Sequence, residues 1–90
     1  MHKNIALVTG ASSGIGRCLS IELAKNNFEV ILSSRNLEKL EDTAAQIEKK
    51  GGRAYIIPAD LSDIKSIESL YGKSLEIGFV GTVIMSNVSN

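Results

Sequence analysis

The sequence predicts an α/β fold: a doubly wound parallel sheet of about four strands with three helices. Three observations carry this. Short continuous apolar runs recur along the chain, as in strands buried on both faces. Between them lie stretches with apolar residues three and four apart, each long enough for a helix. The first run passes directly into a glycine-rich turn, Leu7-Val8-Thr9-Gly10-Ala11-Ser12-Ser13-Gly14-Ile15-Gly16. Strands alternating with helices require right-handed crossovers, and these place helices on both faces of a parallel sheet.

The elements follow in order. Ile5-Ala6-Leu7-Val8 is the first strand. A helix from Gly14 to about Asn26 is expected to turn Ile15, Leu19 and Leu23 inward, with Asn26-Asn27 as its stop. Glu29 to Ser33 is the second strand. Asn36 is placed to cap a second helix whose buried face carries Leu37, Leu40, Ala44 and Ile47, and Gly51-Gly52 ends it. Ala54 to Ile57 is the third strand, closed by Pro58. Ser62 or Asp63 caps a third helix with Ile64, Ile67 and Leu70 inward. Phe79 to Met85 is the fourth strand, weakened by Gly81.

Ninety residues make one domain, taken as residues 1–90. Hydrophobic residues are 43% and charged residues 22%, the proportions of an ordinary globular protein. Ten basic and ten acidic side chains cancel, which argues against a general attraction to nucleic acid or anionic membrane. Cys18 is the single cysteine, so neither an internal disulfide nor a cysteine-based zinc cage forms. No secretion signal opens the chain, and no apolar run approaches the roughly 18 residues a membrane helix needs. The expected compartment is the cytoplasm.

The glycine turn leaves the carboxyl end of the first strand and opens the first helix, where a ligand of an open α/β sheet belongs. Backbone N–H groups at the helix start, Gly14-Ile15-Gly16, lack helical partners, and the helix dipole favours an anion there. Gly10 turns the chain off the strand. Gly14 lets backbone approach a pyrophosphate, and Gly16 lets the helix pack close to the sheet. The hydroxyls of Ser12 and Ser13 add phosphate donors. A P-loop is excluded, because no Gly-Lys-Ser/Thr follows at the required spacing.

The run Thr9-Gly10-Ala11-Ser12-Ser13-Gly14-Ile15-Gly16 resembles the cofactor signature of the short-chain dehydrogenase/reductase family, and the resemblance extends through about the first 80 residues. It implies a Rossmann-like fold with strand order 3-2-1-4, a nicotinamide dinucleotide, and carbonyl/alcohol redox chemistry. At the end of the second strand, Ser34 stands where NAD-using members carry an aspartate, and Arg35 follows. A guanidinium pairs with a 2′-phosphate through two hydrogen bonds, so the implied cofactor is NADP(H). After the third strand, the resemblance puts Asp60 and Leu61 against the adenine. The alternative for Asp60 is a cap on the third helix, and the two roles are compatible.

Beyond Val80 the resemblance fails. The family reaches an Asn-Asn-Ala-Gly motif here, whereas this chain reads Gly81 to Asn90 as Gly-Thr-Val-Ile-Met-Ser-Asn-Val-Ser-Asn. One alignment, with an insertion, matches Asn87 alone and makes it a cofactor-site candidate. The other treats everything after Val80 as unrelated, as a shifted reading frame would produce. The family's catalytic serine, tyrosine and lysine lie far downstream of this motif. Tyr55 lies within a strand, and Tyr71 has no lysine four residues on, so neither replaces the family's tyrosine. The chain is therefore expected to be the amino-terminal, truncated portion of an NADP(H)-dependent oxidoreductase. The alternative is a catalytically silent nucleotide-binding or self-associating fragment. With no fifth strand beside it, the fourth strand becomes a sheet edge, and a homodimer or larger oligomer through that edge is expected.

Overall fold

The computed structural model describes residues 4–85. The elements are β1 (Asn4–Thr9), α1 (Gly14–Lys25), β2 (Phe28–Ser33), α2 (Leu37–Lys49), β3 (Arg53–Ile56), α3 (Ile64–Ile77) and β4 (Thr82–Met85). The four strands form one parallel sheet in the order β3-β2-β1-β4. The expected fold class and strand order are both found.

Successive residues of β2 point to opposite faces and so build two cores. Val30 and Leu32 join Val8, Ala11, Leu40, Ala44 and Ile47 beneath α1 and α2. Ile31 joins Ile5, Ile57, Ala59 and Leu70 beneath α3. Leu32, Leu40 and Ile31 are wholly buried. Each such side chain contributes about 1.5–3 kcal/mol of transfer free energy.

The local signals worked where a side chain bonds its own backbone. Asn36 caps α2, its Oδ1 accepting from the Lys39 amide at 3.1 Å. Asp63, rather than Ser62, caps α3 by accepting from the Lys65 amide at 3.1 Å. Asn27 follows α1 in a left-handed conformation, φ 68°. Past β3, the Ile57 amide donates to the Leu32 carbonyl and the Ala59 amide to the Ser34 carbonyl, each at 3.0 Å. Pro58, which has no N–H, falls between these two donors, so the pairing with β2 carries on past it.

The helix faces differ from expectation. On α1, Ile15 is 63% exposed and Leu19 is also exposed, while Gly16 and Ser20 are the buried pair and Leu23 packs alongside. Close approach at Gly16 sets the roll of this helix, which leaves Ile15 and Leu19 outward while Ile21 and Leu23 pack against the core. On α2, Leu37 is exposed and Thr43 takes the buried position. On α3, Leu70 and Ser74 face the sheet, while Ile64 and Ile67 are exposed. β4 begins at Thr82 and not at Phe79. The chain reaches the sheet there through the Gly81 amide, which donates to the Ile5 carbonyl at 3.1 Å.

Candidate cofactor site

The glycine turn leaves β1 at its carboxyl end and is held from two sides. The Ala11 amide donates to the Ser33 carbonyl of β2 at 3.2 Å. The Ala11 carbonyl lies 3.1 Å from the buried Thr43 hydroxyl of α2. Gly10 and Gly14 take φ of 68° and 58°, a left-handed conformation that is nearly free for glycine and costly for other residues. Gly16 packs against the turn itself, so that a Cβ there would overlap the Gly10 carbonyl oxygen. The turn is thus a fixed backbone shape.

Ser13 occupies the N-cap position of α1 in an extended conformation, and its side chain makes no capping hydrogen bond. The other two helices have side-chain caps from Asn36 and Asp63. The start of α1 therefore keeps its N–H groups and the positive end of its dipole available to an anion. Around Gly14 no atom lies within 4 Å of where a Cβ would stand.

Beside this turn opens a cleft of about 520 Å³. It brings together the three segments singled out in the sequence. Gly10, Ser12 and Ser13 form one wall, Arg35 the second, and Asp60 with Leu61 the third. Gly14, Ile15 and Gly16 do not line it: Gly16 is buried beneath the turn, and the Ile15 side chain is exposed. Asn87 lies outside the described residues. Five further lining residues were not among the expected site residues, namely Ser34, Asn36, Lys39, Ala59 and Ser62. Lys39 was legible as a cation one turn beyond Arg35; Asn36 and Ser62 entered the sequence reading only as helix-cap candidates, and Ser34 only as the position that lacks the aspartate of NAD-using members.

Asp60 is prepared as a carboxylate. Its Oδ1 accepts from the Ser62 hydroxyl at 2.7 Å and from the Ser62 amide at 3.0 Å. The hydroxyl first, then the amide, hold its pKa below the ordinary value, and the nearby Arg35 charge adds to this. The Asp60 amide donates to Ser66 Oγ at 2.8 Å, which fixes the loop from the other side. Since Asp63 caps α3, Asp60 is not spent on the helix, and the cap alternative for it is set aside.

Neither tyrosine among the described residues lines the cleft. The Tyr55 hydroxyl donates to Glu29 Oε1 at 3.0 Å, and Tyr71 is 67% exposed on α3. No helix of the described residues is long and apolar enough to cross a membrane.

A parallel sheet with helices on both faces and a glycine turn at the switch point beside β1 defines a Rossmann-like domain. Residues 4–85 match the short chain dehydrogenase family, and the chain belongs to it. It is 46% identical over 66 residues to a fatty acyl-CoA reductase of Acinetobacter baylyi, covering 73% of this chain and 22% of that protein. To 17-beta-hydroxysteroid dehydrogenase type 3 of Homo sapiens it is 44% identical over 86 residues, 92% of this chain and 26% of that one. To the short-chain dehydrogenase/reductase homolog YusS of Bacillus subtilis it is 35% identical, covering 94% of this chain and 79% of that protein. The chain thus spans about a quarter of the first two relatives and most of the third.

Two solved structures superpose closely. One is an actinorhodin polyketide ketoreductase with NADPH, at TM-score 0.89 and 30% identity over 93% of this chain and 33% of that one. The other is an alcohol dehydrogenase from Thermococcus sibiricus complexed with 5-hydroxy-NADP, at TM-score 0.85 and 32% identity over 89% of this chain and 35% of that one.

Proposed function

We propose that this chain binds NADP(H) and forms the cofactor-holding part of an oxidoreductase that interconverts a carbonyl and an alcohol. The observation that carries the reading is the uncapped start of α1 opening beside a cleft whose other walls hold Arg35 and an ionised Asp60. The backbone of the Gly14-Ile15-Gly16 segment and the hydroxyls of Ser12 and Ser13 would hold the pyrophosphate. Arg35 would pair with the 2′-phosphate. The free carboxylate oxygen of Asp60 would accept from the adenine amino group, with Leu61 against the ring. The NADPH and 5-hydroxy-NADP in the two superposed enzymes support this assignment. When bound, the dinucleotide would supply a hydride to a carbonyl carbon, and the residues of this chain would bind and orient it.

Calorimetric titration with NADP+ and NAD+ tests this. NADP+ should bind more tightly by about 1–3 kcal/mol, the value of a hydrogen-bonded pair between charged groups. Arg35→Ala should shrink that gap and leave NAD+ affinity nearly unchanged. Equal affinities in the unmutated chain would make Arg35 a solvated residue and remove the 2′-phosphate from the reading.

Self-association through β4 belongs to the same proposal. β4 pairs with β1 on one side, and its other edge has no strand partner among the described residues. Val83 and Met85 on it, and Phe79 before it, are 57%, 69% and 87% exposed. An apolar edge without lysine or proline invites pairing with a second copy. Sedimentation velocity across a concentration series should show a dimer or larger species. A monomer at every concentration, with β4 amides protected from exchange, would overturn this.

A further inference from the structure

The cleft contains a second cation that the glycine turn and the end of β2 do not account for. Lys39 lies in the first turn of α2, and it lines the cleft together with Arg35. Its amide is fixed by Asn36 Oδ1, so the side chain rises from a rigid, capped turn. The ion pairs among the described residues are Arg17–Asp42 and Lys25–Glu22, and neither involves Lys39 or Arg35. The Arg17 guanidinium holds Asp42, the carboxylate three residues after Lys39, at 3.0 Å. Lys39 is left facing the cleft with its charge unspent.

The charge balance shows why this matters. The ionisable side chains lining the cleft are Arg35, Lys39 and Asp60. Asp60 is held ionised, and Arg35 is close enough to contribute to that. These two charges oppose each other at any anion brought between them. A phosphomonoester carries about −1.5 to −2 at neutral pH. The Asp60 charge offsets part of the attraction that Arg35 alone offers such a group. Adding Lys39 makes the lining net positive by one charge. Ser34 contributes beside it: its Oγ accepts from the Asn36 amide at 3.0 Å, which leaves the hydroxyl hydrogen to donate.

We propose that Lys39 is a specificity-determining residue of this site, reaching the same 2′-phosphate as Arg35 and setting the preference for the phosphorylated adenosine. The inference rests on reading the cleft as a site for NADP(H).

The test titrates the full chain with 2′,5′-ADP, 3′,5′-ADP and 5′-AMP, in the unmutated form and in Lys39→Ala, Lys39→Gln and Lys39→Arg. The unmutated chain should bind 2′,5′-ADP more tightly than either of the others. Lys39→Ala and Lys39→Gln should each weaken 2′,5′-ADP by about tenfold, one charge-assisted contact, and leave 5′-AMP within about twofold. Lys39→Arg should restore the preference, which a loss of packing or of helix stability would not explain. The preference of the unmutated chain should also fall with added salt more steeply than that of Lys39→Ala. If the unmutated chain prefers 2′,5′-ADP and Lys39→Ala keeps the full preference, the role of Lys39 is overturned and the NADP(H) reading stands. If the unmutated chain binds none of the three, or binds them equally, both are overturned.

Discussion

Gly16→Ala should unfold the glycine turn and lower the stability of the whole chain by about 3 kcal/mol or more, the upper range for forcing an atom into packed surroundings. The added Cβ would meet the Gly10 carbonyl oxygen and carbon and the Ala11 Cα. All of these are backbone atoms, so no side-chain rotation relieves the overlap. Relief requires α1 to lift from the turn. That movement strains the Ala11 amide bond to Ser33 and the Thr43 contact that ties the turn to α2. For a chain of this size the melting temperature should fall by roughly 12 °C or more. Gly72→Ala is the matched control. Gly72 lies within α3, exposed, with no atom within 4 Å of an added Cβ. That change should raise stability by about 0.5–1 kcal/mol, because glycine is a poor helix former. Circular dichroism melts of the two variants decide it. A Gly16→Ala protein melting within a few degrees of the unmutated chain would mean that α1 does not depend on the close approach.

The contrast between these glycines shows what was legible in the sequence. The alternation of strands and helices, the cap at Asn36 and the position of the turn could be read because each depends on local chemistry or on a strong pattern, whereas the strand order was implied by the family resemblance. The roll of the helices could not. On α1 the apolar residues at Ile15, Leu19 and Leu23 form a plausible inward face, yet Gly16 and Ser20 meet the sheet. A small residue lets the helix come close, and proximity rather than hydrophobicity chooses the buried face there. The Ser20 hydroxyl is satisfied by the Gly16 carbonyl at 2.7 Å, so burying it costs little. On α3, Ser74 takes a buried place that periodicity would give to an apolar residue. Thr43 was missed for a similar reason. Its hydroxyl is buried against the Ala11 carbonyl, a partner 32 residues away that no local pattern announces. At the candidate site, the motif residues were legible and the balance of charge was not. Lys39 reads as an ordinary exposed lysine until the fold sets it in the same cleft as Arg35 and Asp60.

Gly14→Val should leave the fold in place and abolish cofactor binding. The two motif glycines lie two residues apart and should fail in opposite ways. A Cβ at Gly14 meets no atom within 4 Å, so nothing in the protein is displaced. The cost to folding is conformational. At φ 58°, a residue with a side chain pays about 1–2 kcal/mol, and a β-branched one more. The melting temperature should drop by several degrees, with the circular dichroism spectrum unchanged at low temperature. The open space around Gly14 is where the proposed pyrophosphate would approach the uncapped N–H groups of α1. Two methyl groups placed there would hold the phosphates off those donors. Loss of the charge-assisted bonds, at about 1.5–3 kcal/mol each, takes binding down by a hundredfold or more. Gly14→Ala separates strain from obstruction. It pays a similar backbone cost but adds only one methyl group, and should retain measurable affinity between the two extremes. The titration is run well below the melting point of each variant, so that affinity is read on folded protein. NADP+ binding to folded Gly14→Val within about threefold of the unmutated chain would show that the phosphates do not lie on this turn, because two methyl groups cannot share that space with a pyrophosphate.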